Sequence, residues 1–294
     1  MKAQDLFEQI TNQLIADIEA GAPEWRMPWQ TIADAATPTN AEGRPYRGLN
    51  ALWLPLVAAD QGWVSGLWGT YKSWQRHGAQ VRRGSTGTHV IFWKSTTDTV
   101  LMNDDTEPTE RRRLLARAYT VFAAEQVDGA EALIAARQPA ERDTPERIAD
   151  AEAFFAAVGA VVTEGGNVAG YDPKGDTIRI PSLAQFDTAP PYYATRAHET
   201  THWTGHESRL ARDLTGRFGS DSYAAEELVA ELGAAMWCAQ AGISSVTRPD
   251  HASYLASWLR VLRSDARALV TVSAKAQAAL DYLNTRAGRA SEAA

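Results

Sequence analysis

The stretch His198-Glu-Thr-Thr-His202 sets two imidazoles four residues apart, with a carboxylate directly after the first. On a helix, positions i and i+4 share a face. Both imidazoles can therefore turn a nitrogen toward one Zn²⁺ while Glu199 lies beside them, near a water on the ion. Five residues alone also describe a polar helix face in solvent, so the rest of the chain must supply a third ligand for the motif to mean metal.

A matching acid pair follows. Tyr223-Ala-Ala-Glu-Glu-Leu-Val-Ala-Glu-Leu-Gly233 has helical periodicity, with Glu227 and Glu231 on one face and Leu228, Leu232 and Ala235 available for packing. In zinc peptidases of the glutamate-ligand kind, the first acid of such a pair binds the metal and the second orients a ligand imidazole. That pattern assigns Glu227 as ligand and Glu231 as its supporting acid, although the two can exchange roles without violating any sequence rule. Glu226, about 100° round the helix from Glu227, reads as a solvated charge. The longer pattern HExxHxxGxxH is matched through Gly205, but Ser208 stands where its third histidine belongs, which disfavours a metzincin site. His206 is left as a rim or capping residue. Upstream, Asp176-Thr-Ile-Arg-Ile-Pro181 alternates as a half-buried strand, and Pro181 places it at a sheet edge able to take an extended peptide.

Working outward, 29 Lys and Arg against 36 Asp and Glu give the 294-residue chain a net charge of −7. Its length suggests two domains, and 45% hydrophobic residues exclude a mainly disordered or fibrous chain. No uncharged apolar run approaches the ~20 residues that cross a bilayer. The N-terminal stripe Leu6, Phe7, Ile10, Leu14, Ile15 and Ile18 is interrupted by acids, as an amphipathic helix is and a signal peptide is not. The single Cys238 forms no internal disulfide and points to a reducing, cytoplasmic compartment.

Between Asn40 and Lys94, seven basic residues face two acidic ones, a net of +5 that leaves −12 on the remainder. Seven of the ten tryptophans lie in the first 93 residues. Cations interleaved with flat side chains suit single-stranded nucleic acid, whose phosphates and exposed bases need both. The candidate contacts are Arg44, Tyr46, Arg47, Lys72, Arg76, Arg82, Arg83 and Lys94. Most of the tryptophans belong to the core on size alone. Asp98 to Arg113 and Asp128 to Arg147 read as surface connections, the second holding the domain boundary.

Asp5 to Trp29, Tyr46-Arg-Gly-Leu-Asn50, Trp68-Gly-Thr-Tyr-Lys72 and Gly87 to Lys94 together resemble the N-terminal domain of ArdC-type plasmid antirestriction proteins. Tyr192 to Glu199 with Trp203-Thr-Gly-His206 resembles the zincin-like metallopeptidase domain that follows it in the same proteins. The resemblance implies an α+β fold of two domains. A small α+β domain for single-stranded DNA would span 1–129, with a linker at 130–144. A mainly helical peptidase domain with a small sheet would follow at 145–294. It further implies protection of incoming plasmid DNA from host restriction during conjugation, with a host protein as a candidate peptide substrate. The implied chemistry is zinc-assisted hydrolysis with His198, His202 and Glu227 as ligands, Glu231 behind them and Glu199 as base, Mn²⁺ or Co²⁺ being alternative ions. The turn Arg83-Gly-Ser-Thr-Gly87 departs from the further charge expected of that family. The residues also admit a plain zinc peptidase whose N-terminal half recognises substrate, or a DNA-binding protein with a structural metal.

Overall fold

The computed structural model describes residues 3–20, 37–100, 109–137, 144–186, 188–215, 220–243, 258–263, 265 and 267–289. Trp25 and Trp29 lie outside the described residues, as do the side chains of Leu14, Ile18, Trp93 and Lys94. Helix α1 (Ala3–Ala20) buries Leu6, Phe7 and Ile10 and leaves Asp5 and Glu8 in solvent, as its sequence stripe requires. Strand β1 (Thr39–Asn40), helix α2 (Leu49–Gln61), strand β2 (Leu67–Gly69), helix α3 (Tyr71–Arg76) and strand β3 (Gln80–Val81) follow. Thr70 caps α3 by accepting the Ser73 N–H at 3.1 Å.

Two long strands, β4 (Thr88–Val100) and β5 (Thr109–Ala123), pair antiparallel from Thr88↔Val121 out to Val100↔Thr109. The stretch Asp98 to Arg113, expected as a surface connection, thus supplies strand at both its ends. The main sheet runs β1-β2-β5-β4, and β3 pairs with β6 (Val127–Asp128) beside it. β4 is an edge strand, and buried Asn50 occupies that edge. Its amide donates to the Ile91 carbonyl at 2.6 Å and accepts the Ile91 N–H at 2.9 Å. Trp68 and Trp74 are fully buried, and Trp74 Nε1 donates to the Phe122 carbonyl at 3.1 Å. Within the interval 130–144, helix α4 (Glu131–Arg137) packs Leu133 and Ile134 against the cluster around Trp74.

The second half opens with α5 (Thr144–Val158), then β7 (Val161–Glu164), β8 (Gly170–Asp172) and β9 (Thr177–Ile180). One expectation is corrected here. Pro181 ends β9, but β9 is the middle strand, parallel to β7 and antiparallel to β8. Ladders on both sides take its backbone groups, and Ile178 and Ile180 are fully buried, so the edges of this sheet are β7 and β8. Helices α6 (Ala189–Thr204), α7 (Asp221–Ala241) and α8 (Ala268–Arg286) pack against one another. Ser220 caps α7, and Gly242 ends it in the left-handed conformation.

One apolar cluster runs through both halves. Leu6, Phe7, Leu52, Trp53 and Ile91 belong to it together with Leu228, Trp237, Val272 and Leu283. Arg47 pairs with Asp281 of α8, and the Gly48 N–H donates to Gln277 Oε1 at 3.2 Å, so polar contacts bridge the same boundary.

Helices α6 and α7 approach closely at Gly233. A Cβ there would stand 2.6 Å from Thr201 Cγ2 and 2.8 Å from its Oγ1. Gly233→Ala gains about 1 kcal/mol of helix propensity and meets an overpacking cost of about 1–3 kcal/mol. We expect a net destabilisation of up to about 2 kcal/mol in denaturant unfolding, turned into a gain of about 1 kcal/mol in a Thr201→Ala background that removes both clashing atoms. Equal costs in the two backgrounds would contradict the contact.

Candidate metal centre

Helix α6 is polar yet buried nearly throughout, including His198 and Glu199 at 3% exposure each. Its hydroxyls make this tolerable by bonding back along the helix. Thr195 donates to the Pro191 carbonyl at 2.9 Å, Thr200 to Arg196 at 2.6 Å and Thr201 to Ala197 at 2.8 Å.

Against this helix α7 presents three acids. His198 Nε2 and His202 Nε2 are 3.2 Å apart. Glu227 faces both, with Oε2 at 3.6 Å from the first nitrogen and Oε1 at 3.4 Å from the second. Tetrahedral bonds of about 2.0 Å place ligand atoms about 3.3 Å apart, so the three donors fit a single ion without rearrangement. Among the described residues, His198, His202 and Glu227 are the group of three or more ligand-type side chains whose donor atoms converge, all within 4.8 Å of one another.

The remaining ring nitrogens are each matched to an acid. Glu231 Oε1 lies 3.2 Å from His198 Nδ1, and Glu226 Oε1 lies 3.2 Å from His202 Nδ1. The solvated-charge reading of Glu226 is therefore corrected: it is 9% exposed and orients the second imidazole. The 100° rotation that separates it from Glu227 turns it toward His202. Arg212 holds Glu226 from behind, with Nε at 3.0 Å from Oε2 and Nη2 at 2.8 Å from Oε1, and donates also to Thr204 Oγ1 and the Thr201 carbonyl. Gly205 makes room for that fold-back, since a Cβ there would lie 2.9 Å from Arg212 Nη2.

Burial by itself lowers the His202 pKa, but the bonds to Glu226 and Glu227 reverse this and raise it to about 10. Burial would raise Glu227, and His198 and His202 outweigh it, holding this carboxyl well below its usual range. Glu226 is depressed in the same way, with burial opposed by His202 and Arg212. The pocket attracts positive charge.

The group opens onto a cleft of about 380 Å³ walled by Glu199, Tyr223, Leu214 and the β8 residues Gly170 and Tyr171. Arg209 fastens the β8–β9 turn to the end of α6. It donates to Asp176 Oδ2 at 2.9 Å and lies 4.0 Å over the Trp203 ring, while Tyr171 donates to Asp176 Oδ1 at 2.8 Å. His206 is not among the cleft-lining residues, and its Nδ1 engages Ser208 Oγ at 2.8 Å.

None of the described candidate DNA contacts is among the cleft-lining residues, and the basic ones divide into two groups. Arg44, Lys72 and Arg83 are exposed. Arg76 pairs with Glu42 at 2.8 Å, Arg82 with Asp128 at 3.3 Å, and Arg47 with Asp281. Tyr46 is corrected as a stacking surface: it is 7% exposed, part of a core cluster with Leu54 and Trp68, and burial pushes its hydroxyl above the ordinary range.

Residues 4–122 match the N-terminal domain of anti-restriction factor ArdC, and residues 149–275 match the zincin-like metallopeptidase family. The metal-free crystal structure of the antirestriction ArdC protein from plasmid R388 is 38% identical, with a TM-score of 0.78, over 98% of this chain and 100% of that one. The chain belongs to the ArdC antirestriction family. The Mn(II)-bound structure of that R388 protein is 37% identical with a TM-score of 0.74, over 97% and 99% of the two chains. An uncharacterized protein, y4eC, of Sinorhizobium fredii is 44% identical over 96% of this ArdC-family chain and 92% of its own length. DNA primase TraC of Escherichia coli is 36% identical over 94% of this chain, which spans a fifth of that longer protein.

Glu226→Ala and Arg212→Ala each remove the support of His202 while leaving every donor in place. Both are expected to weaken Zn²⁺ or Mn²⁺ binding by about 10–100-fold in chelator competition. Wild-type affinity in Glu226→Ala would show that His202 needs no orienting acid.

Proposed function

We propose that this ArdC-family protein binds single-stranded DNA through its first half and hydrolyses a peptide bond at a divalent-metal site in its second. In this reading it works in the cytoplasm, protecting incoming plasmid DNA from host restriction during conjugation, and its peptide substrate is a host protein. The convergence of His198, His202 and Glu227 beside Glu199 on an open cleft carries the hydrolytic half. A structural zinc is closed by four protein ligands, whereas three donors facing a cleft leave a place for water and substrate.

His198, His202 and Glu227 would hold the ion, zinc by donor chemistry and Mn²⁺ or Co²⁺ as substitutes. When bound, the ion polarises a carbonyl and acidifies water. Glu199 takes the proton of the attacking water and returns it to the leaving amine. Tyr223, on the cleft wall, would donate to the developing oxyanion. The free edge of β8 offers backbone groups to an extended peptide, a role that its tie through Arg209 keeps in register with the cleft.

Hydrolysis of fluorescein-labelled casein by the metal-loaded protein tests the chemistry. Glu199→Gln should lower the rate about 10²–10⁴-fold with stoichiometric metal retained. A wild-type protein that binds metal and leaves casein intact, or a Glu199→Gln variant that cleaves it normally, overturns the reading of this cleft.

The DNA half predicts that oligothymidine affinity falls steeply with added salt. Joint replacement of exposed Arg44, Lys72 and Arg83 by Gln should shallow the log–log salt slope by about 0.7 for each lost phosphate contact, whereas Arg76→Gln, already paired with Glu42, should change it less. A salt-independent affinity would refute phosphate contact.

A further inference from the structure

We propose that Phe92, Tyr119 and Arg117, on one face of the β4–β5 hairpin, form a base-stacking site for single-stranded DNA; this rests on the DNA-binding reading above and locates it. Phe92 and Tyr119 are 45% and 43% exposed in a domain that buries Trp68 and Trp74 completely. They form an edge-to-face pair, with centroids 5.3 Å apart and planes at 88°. Such a pair uses one edge and one face and leaves flat surface open. Behind Phe92, at 6.3 Å, stands the buried ring of Tyr46.

The register explains why these residues share a face. Phe92 lies opposite Arg117 and Val90 opposite Tyr119, and directly opposed residues of an antiparallel pair project to the same side. Nearer the core that side is anchored by Val90 and Val121, both fully buried. Asn50 fixes the backbone at Ile91, immediately before Phe92. The rings are thus held on a rigid strand.

Charge and backbone chemistry choose the occupant. The two strands carry Lys94, Arg111, Arg112, Arg113 and Arg117 against Asp98 and Glu110, a net of +3 in a chain of −7. An unpaired base offers a π face to Phe92 or Tyr119, and its phosphate meets the Arg117 guanidinium. Duplex DNA hides those faces. An extended peptide added to β4 would need the Ile91 N–H and carbonyl, and Asn50 already holds both.

Fluorescence anisotropy of the full chain with a dye-labelled oligothymidine tests the site. Phe92→Ala and Tyr119→Ala should each weaken binding about tenfold, while Tyr119→Phe stays within about twofold because it keeps the ring. Arg117→Gln should lower the salt slope by about 0.7, and the aromatic variants should leave that slope unchanged. Phe92→Tyr, with wild-type affinity, and an unchanged melting temperature exclude misfolding as the cause. Salt-sensitive wild-type binding with both alanine variants at wild-type affinity would overturn this site and leave DNA binding standing. Absence of wild-type binding would remove the DNA reading and this site with it. Displacement of the oligonucleotide by polyglutamate as readily as by unlabelled oligothymidine would make the patch a protein contact and overturn the proposal.

Discussion

The approach of α6 to α7 at Gly233 is the constraint on which the centre depends. A side chain at that point would separate the helices, and the imidazoles of one would lose the acids of the other. With the helices in contact, Glu199, Glu226, Glu227 and Glu231 are buried together with Arg212 as the guanidinium among them. So many buried carboxylates are tolerable only with compensating positive charge. The upward shift of His202 expresses that need through a proton. A divalent cation answers the same need while bonding the nitrogens directly, which makes the helix packing and the affinity for metal a single problem.

The histidine pair and the carboxylate beside it were legible because helical spacing is a local property, fixed by five consecutive residues. Glu227 was legible as a member of an i,i+4 pair, but choosing it over Glu231 required the distances to both Nε2 atoms. Glu226 was misread because a helical wheel gives an angle and says nothing of what stands there. Arg212 carried no signal at all: its partner is 14 residues away, reached by a turn that Gly205 permits. The same limit applies to β9, whose alternation and terminal proline described a half-buried strand correctly while the strand on its other side remained invisible. In the first half, a basic stretch drawn only to Lys94 omitted Arg117 of β5, which pairing across the hairpin sets opposite Phe92.

Fold class was the more legible level. The amphipathic N-terminal helix, the helix through Glu227 and the alternating strand at Ile178 all follow from short-range preferences, and the structure has each of them. What short-range preference does not contain is how the halves meet. Phe7, Leu52 and Ile91 are apolar residues whose partners include α8, far along the chain. Arg47 reads in sequence as a phosphate contact, and nothing local signals that Asp281 stands beside it.

That shared apolar interior bears on how such a protein can be inherited. Two parts joined by a flexible tether can be shuffled separately into new proteins, each remaining soluble alone. Here a cut between α4 and α5 would strip the faces of α1, α2 and α8 that now cover one another, and leave Asp281 and Arg47 without each other. The pair is accordingly best passed on as one cassette. The match to TraC has that form: a single block aligned with 94% of this chain, set within a protein about five times as long.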